Sequence, residues 1–273
     1  MGPTENVSSA AGSPVYTLFE VEEPESLGAD HLSRLAAGVL GAVRVRSFFT
    51  PEQCRDVVEA LADCEMGSYD EQQVEPRIAK LGPTAYDFYA DHVLHEQYWL
   101  EAKQAAKNRS GLLRGVDPMT VAIETLARVW GGPVRPATSK GQEMFAGIIR
   151  EINAGARMHF DEIVREMLGA LDEVPVAQLA FNCHLAVPGE GGEGVVFRRR
   201  WRPSDELHRD GYGYDPALTL DEPRVEVQAD VGDAVFFDPR NYHLVKPILG
   251  GGRRTTLSFF IGMTGHGKLI LWS

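Results

Sequence analysis

The run Pro188-Gly189-Glu190-Gly191-Gly192-Glu193-Gly194 limits the architecture more than any other stretch. Glycine at this density turns a chain back on itself, and β-prone segments flank the run at 176–187 and from Val195-Val196-Phe197 onward. Short apolar segments at 225–228, 234–237 and 254–261 continue the pattern, with no long helical periodicity between them. A parallel doubly wound sheet needs a crossover helix after each strand, so this half of the chain predicts antiparallel sheets instead. The expected fold is α+β, with a jelly roll (a double-stranded β-helix of the cupin kind) over 143–273.

The first half has a different texture. Residues 1–14 carry Gly, Ser, Pro and Ala with almost no large apolar side chain and predict a loose tail. Residues 42–46 alternate as a strand does, and Thr50-Pro51-Glu52-Gln53 supplies a cap, a first-turn proline and an acidic start for a helix to about residue 64. Aromatic and aliphatic residues over 85–109 recur at helical spacing, and so do those of 118–129, with Asp117 as cap and Gly131-Gly132-Pro133 as stop. No repeat or linker separates the halves. Residues 15–273 therefore read as a single domain in which a helix-rich part, 15–142, supports the β core.

Composition excludes several classes of function. A net charge of −12 opposes binding to a phosphate backbone, which argues against nucleic acid as the partner and says nothing about a small substrate in a local basic pocket. Neither a long apolar span nor a basic leader followed by an apolar run is present, so no membrane segment or signal peptide is expected and a cytoplasmic location is the default. Cys54, Cys64 and Cys183 lack metal-ligand spacing and read as ordinary thiols. The oligomeric state is not legible, and a homodimer stays open.

Within this frame, Arg157-Met158-His159-Phe160-Asp161 and the distant His243 carry the chemistry. Two imidazoles and a carboxylate occupy one face of an octahedral Fe(II) and leave the other face open. With eight histidines in an acidic chain, one H-x-acid is expected by chance, and His208-Arg209-Asp210 is a second H-x-D. The stretch from His208 to His243 has room for only about two strands, too few between the first and last ligands of a jelly roll, so His159 and Asp161 are preferred. His184 reads as a core histidine; His31, His92, His95 and His266 have no partner at ligand spacing. After His243, Gly250-Gly251-Gly252-Arg253-Arg254 leads into a strand whose alternation puts Arg254, Thr256, Ser258 and Phe260 on one face. A guanidinium directed into the barrel needs a counter-charge, supplied by a dicarboxylate co-substrate or by an internal Asp or Glu. Arg253 takes this place if the glycine run shifts the register.

Together, H-x-D, the distal His243, the 188–194 reversal, Gly232-Asp233 and the Arg254 strand resemble the Fe(II)- and 2-oxoglutarate-dependent oxygenases over about residues 143–262. The resemblance implies that His159, Asp161 and His243 ligate the metal. It also implies that Arg254 holds the distal carboxylate of 2-oxoglutarate, with Thr256 or Ser258 donating a hydrogen bond, and that O2 is the other co-substrate. Gly82-Pro83-Thr84-Ala85-Tyr86-Asp87-Phe88-Tyr89, Trp130-Gly131-Gly132 and Ala146-Gly147-Ile148-Ile149-Arg150 resemble, more narrowly, the free-standing amino-acid hydroxylases and halogenases. That subfamily includes hydroxylases of N-succinyl amino acids, lysine halogenases and hapalindole-type alkaloid halogenases. Its halogenases have a small residue in place of the carboxylate ligand, so Asp161 implies hydroxylation.

The substrate expected is a free or N-acylated amino acid. Arg77 matches an arginine that grips the substrate carboxylate in lysine halogenases, Glu143 and Glu162 are candidates to receive an amine, and Trp272 is a candidate lid. A nucleoside or other biosynthetic intermediate, with desaturation, cyclisation or halogenation as the outcome, comes second. A non-catalytic metal-binding jelly-roll sensor is the rival from another class; an open iron face disfavours it.

Overall fold

The computed structural model describes residues 18–273, so the tail expected over 1–14 lies outside the described residues. A ten-stranded, mostly antiparallel sheet forms the base. Thr255–Met263 lies between Ala177–Ala186 on one side and Ile148–Glu151 on the other. The sheet extends through Ala234–Phe237 to Ala42–Val45 at one flank and to Ala79–Leu81 at the other. A second, four-stranded sheet runs in the order Ala156–His159, Asn241–Val245, Gly194–Arg200, Arg224–Val227, with every pair antiparallel.

Period-two alternation decides what each face carries. Leu179, Phe181, Cys183, Leu257, Phe259 and Ile261 meet Leu32, Leu35, Val57, Leu61 and Leu126 of helices Ala29–Ala36, Pro51–Leu61 and Pro118–Trp130. Each large apolar side chain buried there contributes about 1.5–3 kcal/mol, which makes this layer the main stabilising one. Ala180, Asn182, His184 and Phe260 turn the other way and line a cavity shared with Val196, Val227 and His243 of the second sheet.

The glycine motifs mark close backbone approach. Gly191 pairs with Ile248 at a φ of +78°, and a Cβ there would lie 2.4 Å from the Pro247 carbonyl oxygen. A Cβ on Gly232 would lie 2.2 Å from the Phe49 carbonyl oxygen. The adjacent Asp233 accepts from Arg44 Nε at 2.7 Å and from the Ser47 amide at 3.0 Å, which ties this turn to the edge of the strand Ala42–Val45.

Helix signals with side-chain caps are matched closely. Thr50 accepts from the Gln53 amide at 3.2 Å, Asp117 from the Met119 amide at 2.9 Å, and Gly131 ends its helix at φ 72°. The expected single helix over 85–109 is instead a short helix Ala85–Phe88, a hairpin of Tyr89–Ala90 with Val93–Leu94, and a helix Glu96–Arg109. Asp91 and His92 have φ of 50° and 61°, the two left-handed positions of a type I′ turn, and apolar periodicity does not reveal such a turn. The part 15–142 is also more than a helical support, because Ala42–Val45 and Ala79–Leu81 are strands of the main sheet. No helix among the described residues is long and apolar enough to cross a membrane.

Trp272 is not a lid. It lies in the strand Leu269–Trp272 opposite Phe260, with ring centroids 5.8 Å apart, and is 1% exposed. Trp272→Ala is expected to cost about 3–5 kcal/mol of stability, read as a lowered midpoint in chemical denaturation; a lid residue would leave that midpoint unchanged.

Candidate active site

The strands Ala156–His159 and Asn241–Val245 place His159 directly opposite His243. Cross-strand partners project to the same face, and the two ring centroids are 4.2 Å apart. Asp161, two residues beyond His159, returns to that face. Its Oδ2 lies 3.8 Å from His159 Nε2 and 3.3 Å from His243 Nε2. Phe160 packs on Tyr214 and Tyr242, at 5.8 and 5.9 Å between centroids, and anchors the motif from the side. The Asp161 amide donates to the Pro239 carbonyl at 2.9 Å, and Gln178 Nε2 donates to the Asp161 carbonyl at 3.2 Å.

The hydrogen bonds settle which ring nitrogens are free. His159 Nδ1 lies 2.7 Å from the Arg157 carbonyl and His243 Nδ1 3.0 Å from the Asn241 carbonyl. A carbonyl only accepts, so each Nδ1 carries its hydrogen and each Nε2 keeps its lone pair for a metal. The ligand atoms of the three side chains all lie within 4.8 Å of one another. Burial, with His243 close by, pulls His159 down to about 4 and keeps it neutral. Burial alone would raise Asp161, but His159 and His243 outweigh it and hold the carboxyl below its usual range. Two imidazoles with free Nε2 atoms and one carboxylate on a single face form a donor set that fits Fe(II).

Arg254 lies across the cavity. Its Nε donates to the Gly192 carbonyl at 2.9 Å and one terminal nitrogen to His184 Nε2 at 3.3 Å, while Nη1 is buried with no partner. His184 is held neutral, at about 3, by burial and by the charge of Arg254. Burial and the neighbouring Arg150 bring Arg254 down only to about 10, so it stays charged at neutral pH. An orphaned donor on a buried cation fits the distal carboxylate of 2-oxoglutarate. Arg253, by contrast, does not line the cavity. Ser258 Oγ lies 2.8 Å from Asn182 Oδ1 and 3.0 Å from Thr256 Oγ1, so these hydroxyls brace Asn182 behind the cavity wall.

The remaining expected substrate residues are not brought to the cavity. Arg77 is exposed and paired with Glu71 at 2.9 Å, Glu143 is exposed on a small hairpin, and Glu162 pairs with Arg165 at 2.8 Å. Of the second H-x-D, His208 is exposed and Asp210 pairs with Arg157, yet Arg209 between them borders the cavity. Arg150, Glu166, Tyr69 and Tyr86 border it as well and were not singled out from the sequence. Arg150 had a usable signal, a cation closing the apolar run Ile148-Ile149 ahead of Glu151. Glu166 had none, because the short helix Ile163–Glu166 has to fold back toward Asp161 first. Burial, with Asp161 nearby, raises Glu166 to about 8.

Protons should compete weakly for His159. The folded value of His159, about 4, lies below the ordinary value of 6.5, so the stability its neutral form contributes is complete above about 6.5 and is lost as pH falls through 4. In the metal-free protein the His159 imidazole is expected to be still neutral at pH 5.5, read from its ring resonances by NMR; half-protonation near 6.5 would contradict this.

Comparison with known proteins agrees with this geometry. An N-substituted L-amino acid dioxygenase of Burkholderia ambifaria, solved with alpha-ketoglutarate, shares the fold at a TM-score of 0.56 and 13% identity, covering 90% of this chain and 91% of that one. The L-gamma-glutamyl-L-propargylglycine hydroxylase of Streptantibioticus cattleyicolor is 38% identical over 261 residues, 94% of this chain and 97% of that protein. The leucinostatins biosynthesis cluster protein S of Purpureocillium lilacinum is 35% identical over 155 residues, 52% of this chain and 63% of that protein. The family model described as carrier-protein-independent halogenase WelO5 matches residues 18–273, and its members depend on Fe(II) and 2-oxoglutarate. The chain belongs to the WelO5 family of Fe(II)- and 2-oxoglutarate-dependent enzymes.

Proposed function

We propose that this chain hydroxylates an unactivated C–H bond of an N-acylated amino acid, with a γ-glutamyl amino acid as the first candidate. The presence of Asp161 beside His159 and His243 carries the reading. His159, Asp161 and His243 would hold the Fe(II), and the Asp161 carboxylate would take the place a halide needs. The 38% identical relative, named as a hydroxylase of a γ-glutamyl dipeptide, supports both the reaction and the substrate class.

When bound, Fe(II) would activate O2, the oxidant, and 2-oxoglutarate would supply two electrons through its decarboxylation to succinate. The chain's own residues bind, orient and exclude water. Arg254 holds the distal carboxylate, His184 and Gly192 fix Arg254, and Thr256 and Ser258 act through Asn182. The cavity runs between the two sheets from His159, Asp161 and His243 to Arg254. On this reading the two sheets are the walls of a double-stranded β-helix, and 15–273 is one oxygenase domain. Three free thiols, Cys54, Cys64 and Cys183, support a cytoplasmic setting.

Incubation with Fe(II), 2-oxoglutarate and a panel of γ-glutamyl and other N-acyl amino acids is expected to release succinate in step with a product that has gained one oxygen. Asp161→Ala should lower that rate at least roughly hundredfold. A chlorinated product from the unaltered chain, or no substrate-dependent succinate across the panel, would refute the proposal.

A further inference from the structure

The cavity holds two guanidinium groups without a protein carboxylate, and the co-substrate accounts for one of them. Arg150 pairs across the main sheet with Thr256, two residues from Arg254. One terminal nitrogen donates to Asn182 Oδ1 at 3.4 Å and the Tyr69 hydroxyl lies in hydrogen-bond reach of the group; its Nε is buried without a partner, and it makes no ion pair among the described residues. It lines the same cavity as His159, Asp161 and Arg254. A buried donor left unmet costs about 1–3 kcal/mol, and more when it is charged. An open cavity beside such a group lets a ligand supply the missing charge.

On the function proposed above, the charges pair off. The metal dication is balanced by Asp161 and the metal-side carboxylate of 2-oxoglutarate, and Arg254 by the distal carboxylate. Arg209 already has Glu206 at 3.1 Å. Glu166, the other cavity carboxyl, accepts from the Glu162 amide at 2.8 Å and forms no ion pair among the described residues. Arg150 is the cation left over. We propose that Arg150, steadied by Asn182, anchors the C-terminal carboxylate of the substrate and makes the enzyme select acids over their C-terminal amides. A γ-glutamyl amino acid meets this requirement, since it carries one negative charge more than positive. Two parallel N–H donors from a planar guanidinium also fix the orientation of that carboxylate, which a point charge does not.

The test is anaerobic calorimetric titration of the enzyme loaded with Fe(II) and 2-oxoglutarate, using γ-L-glutamyl-L-propargylglycine and its C-terminal amide as probes. The unaltered enzyme is expected to bind the acid roughly tenfold to hundredfold more tightly than the amide. Arg150→Met should remove that preference, with 2-oxoglutarate affinity within about twofold of the parent, and Arg150→Lys should restore part of it. Should Arg150→Met fold poorly, Arg150→Lys, which keeps the charge but loses the planar fork, still tests the inference by a reduced preference. Weakened 2-oxoglutarate binding with the acid preference intact would assign Arg150 to the co-substrate and overturn the inference. An unchanged preference in both variants would also overturn it. Failure of the unaltered enzyme to bind either probe, with metal and 2-oxoglutarate still bound, would refute the substrate class itself and the inference with it.

Discussion

The pairing of Ala156–His159 with Asn241–Val245 is the constraint on which the site depends. Because side chains alternate across a strand, a slip of one residue would turn His243 out of the cavity and Tyr242 into it. Several contacts oppose that slip. Phe160, Tyr214 and Tyr242 pack together on the flank of the metal motif, and the carbonyls of Arg157 and Asn241 fix the two ring orientations. The metal-binding geometry is thus a by-product of ordinary strand register, reinforced by aromatic packing.

The cavity collects groups that are costly without a ligand. His159 and His184 are kept neutral by burial, and Arg254 and Arg150 each have a buried nitrogen with no partner. Such an arrangement is tolerable because the opposite face of the main sheet is an apolar layer under three helices, where Leu32, Phe181, Leu257 and Ile261 are fully buried. Stability resides on one side of the sheet and unsatisfied polarity on the other. Binding of metal and carboxylates then relieves the unsatisfied side, so ligand affinity and site geometry come from the same residues.

Legibility in the sequence followed how local each signal is. Helix Pro51–Leu61 and helix Pro118–Trp130 were readable because Thr50, Asp117 and Gly131 act within a few residues of themselves. The face carrying Arg254 was readable because a strand has a period of two whatever it packs on. The break at Asp91 and His92 was not, since their left-handed conformations leave no compositional trace of the kind glycine leaves. Arg77 and Trp272 were misplaced for a common reason: linear nearness to a motif or a chain end says nothing about which layer a side chain enters.

By itself the sequence determined the type of sheet, the two histidines and one carboxylate suited to Fe(II), and the inward arginine, because these rest on spacing, alternation and side-chain chemistry. The tertiary structure decided which cations lack partners. Arg77 is neutralised by Glu71 on the surface, Arg209 by Glu206 at the cavity edge, and Arg150 by nothing among the described residues. Those pairings bring together residues from separate elements, and only folding sets the distances at which charges cancel.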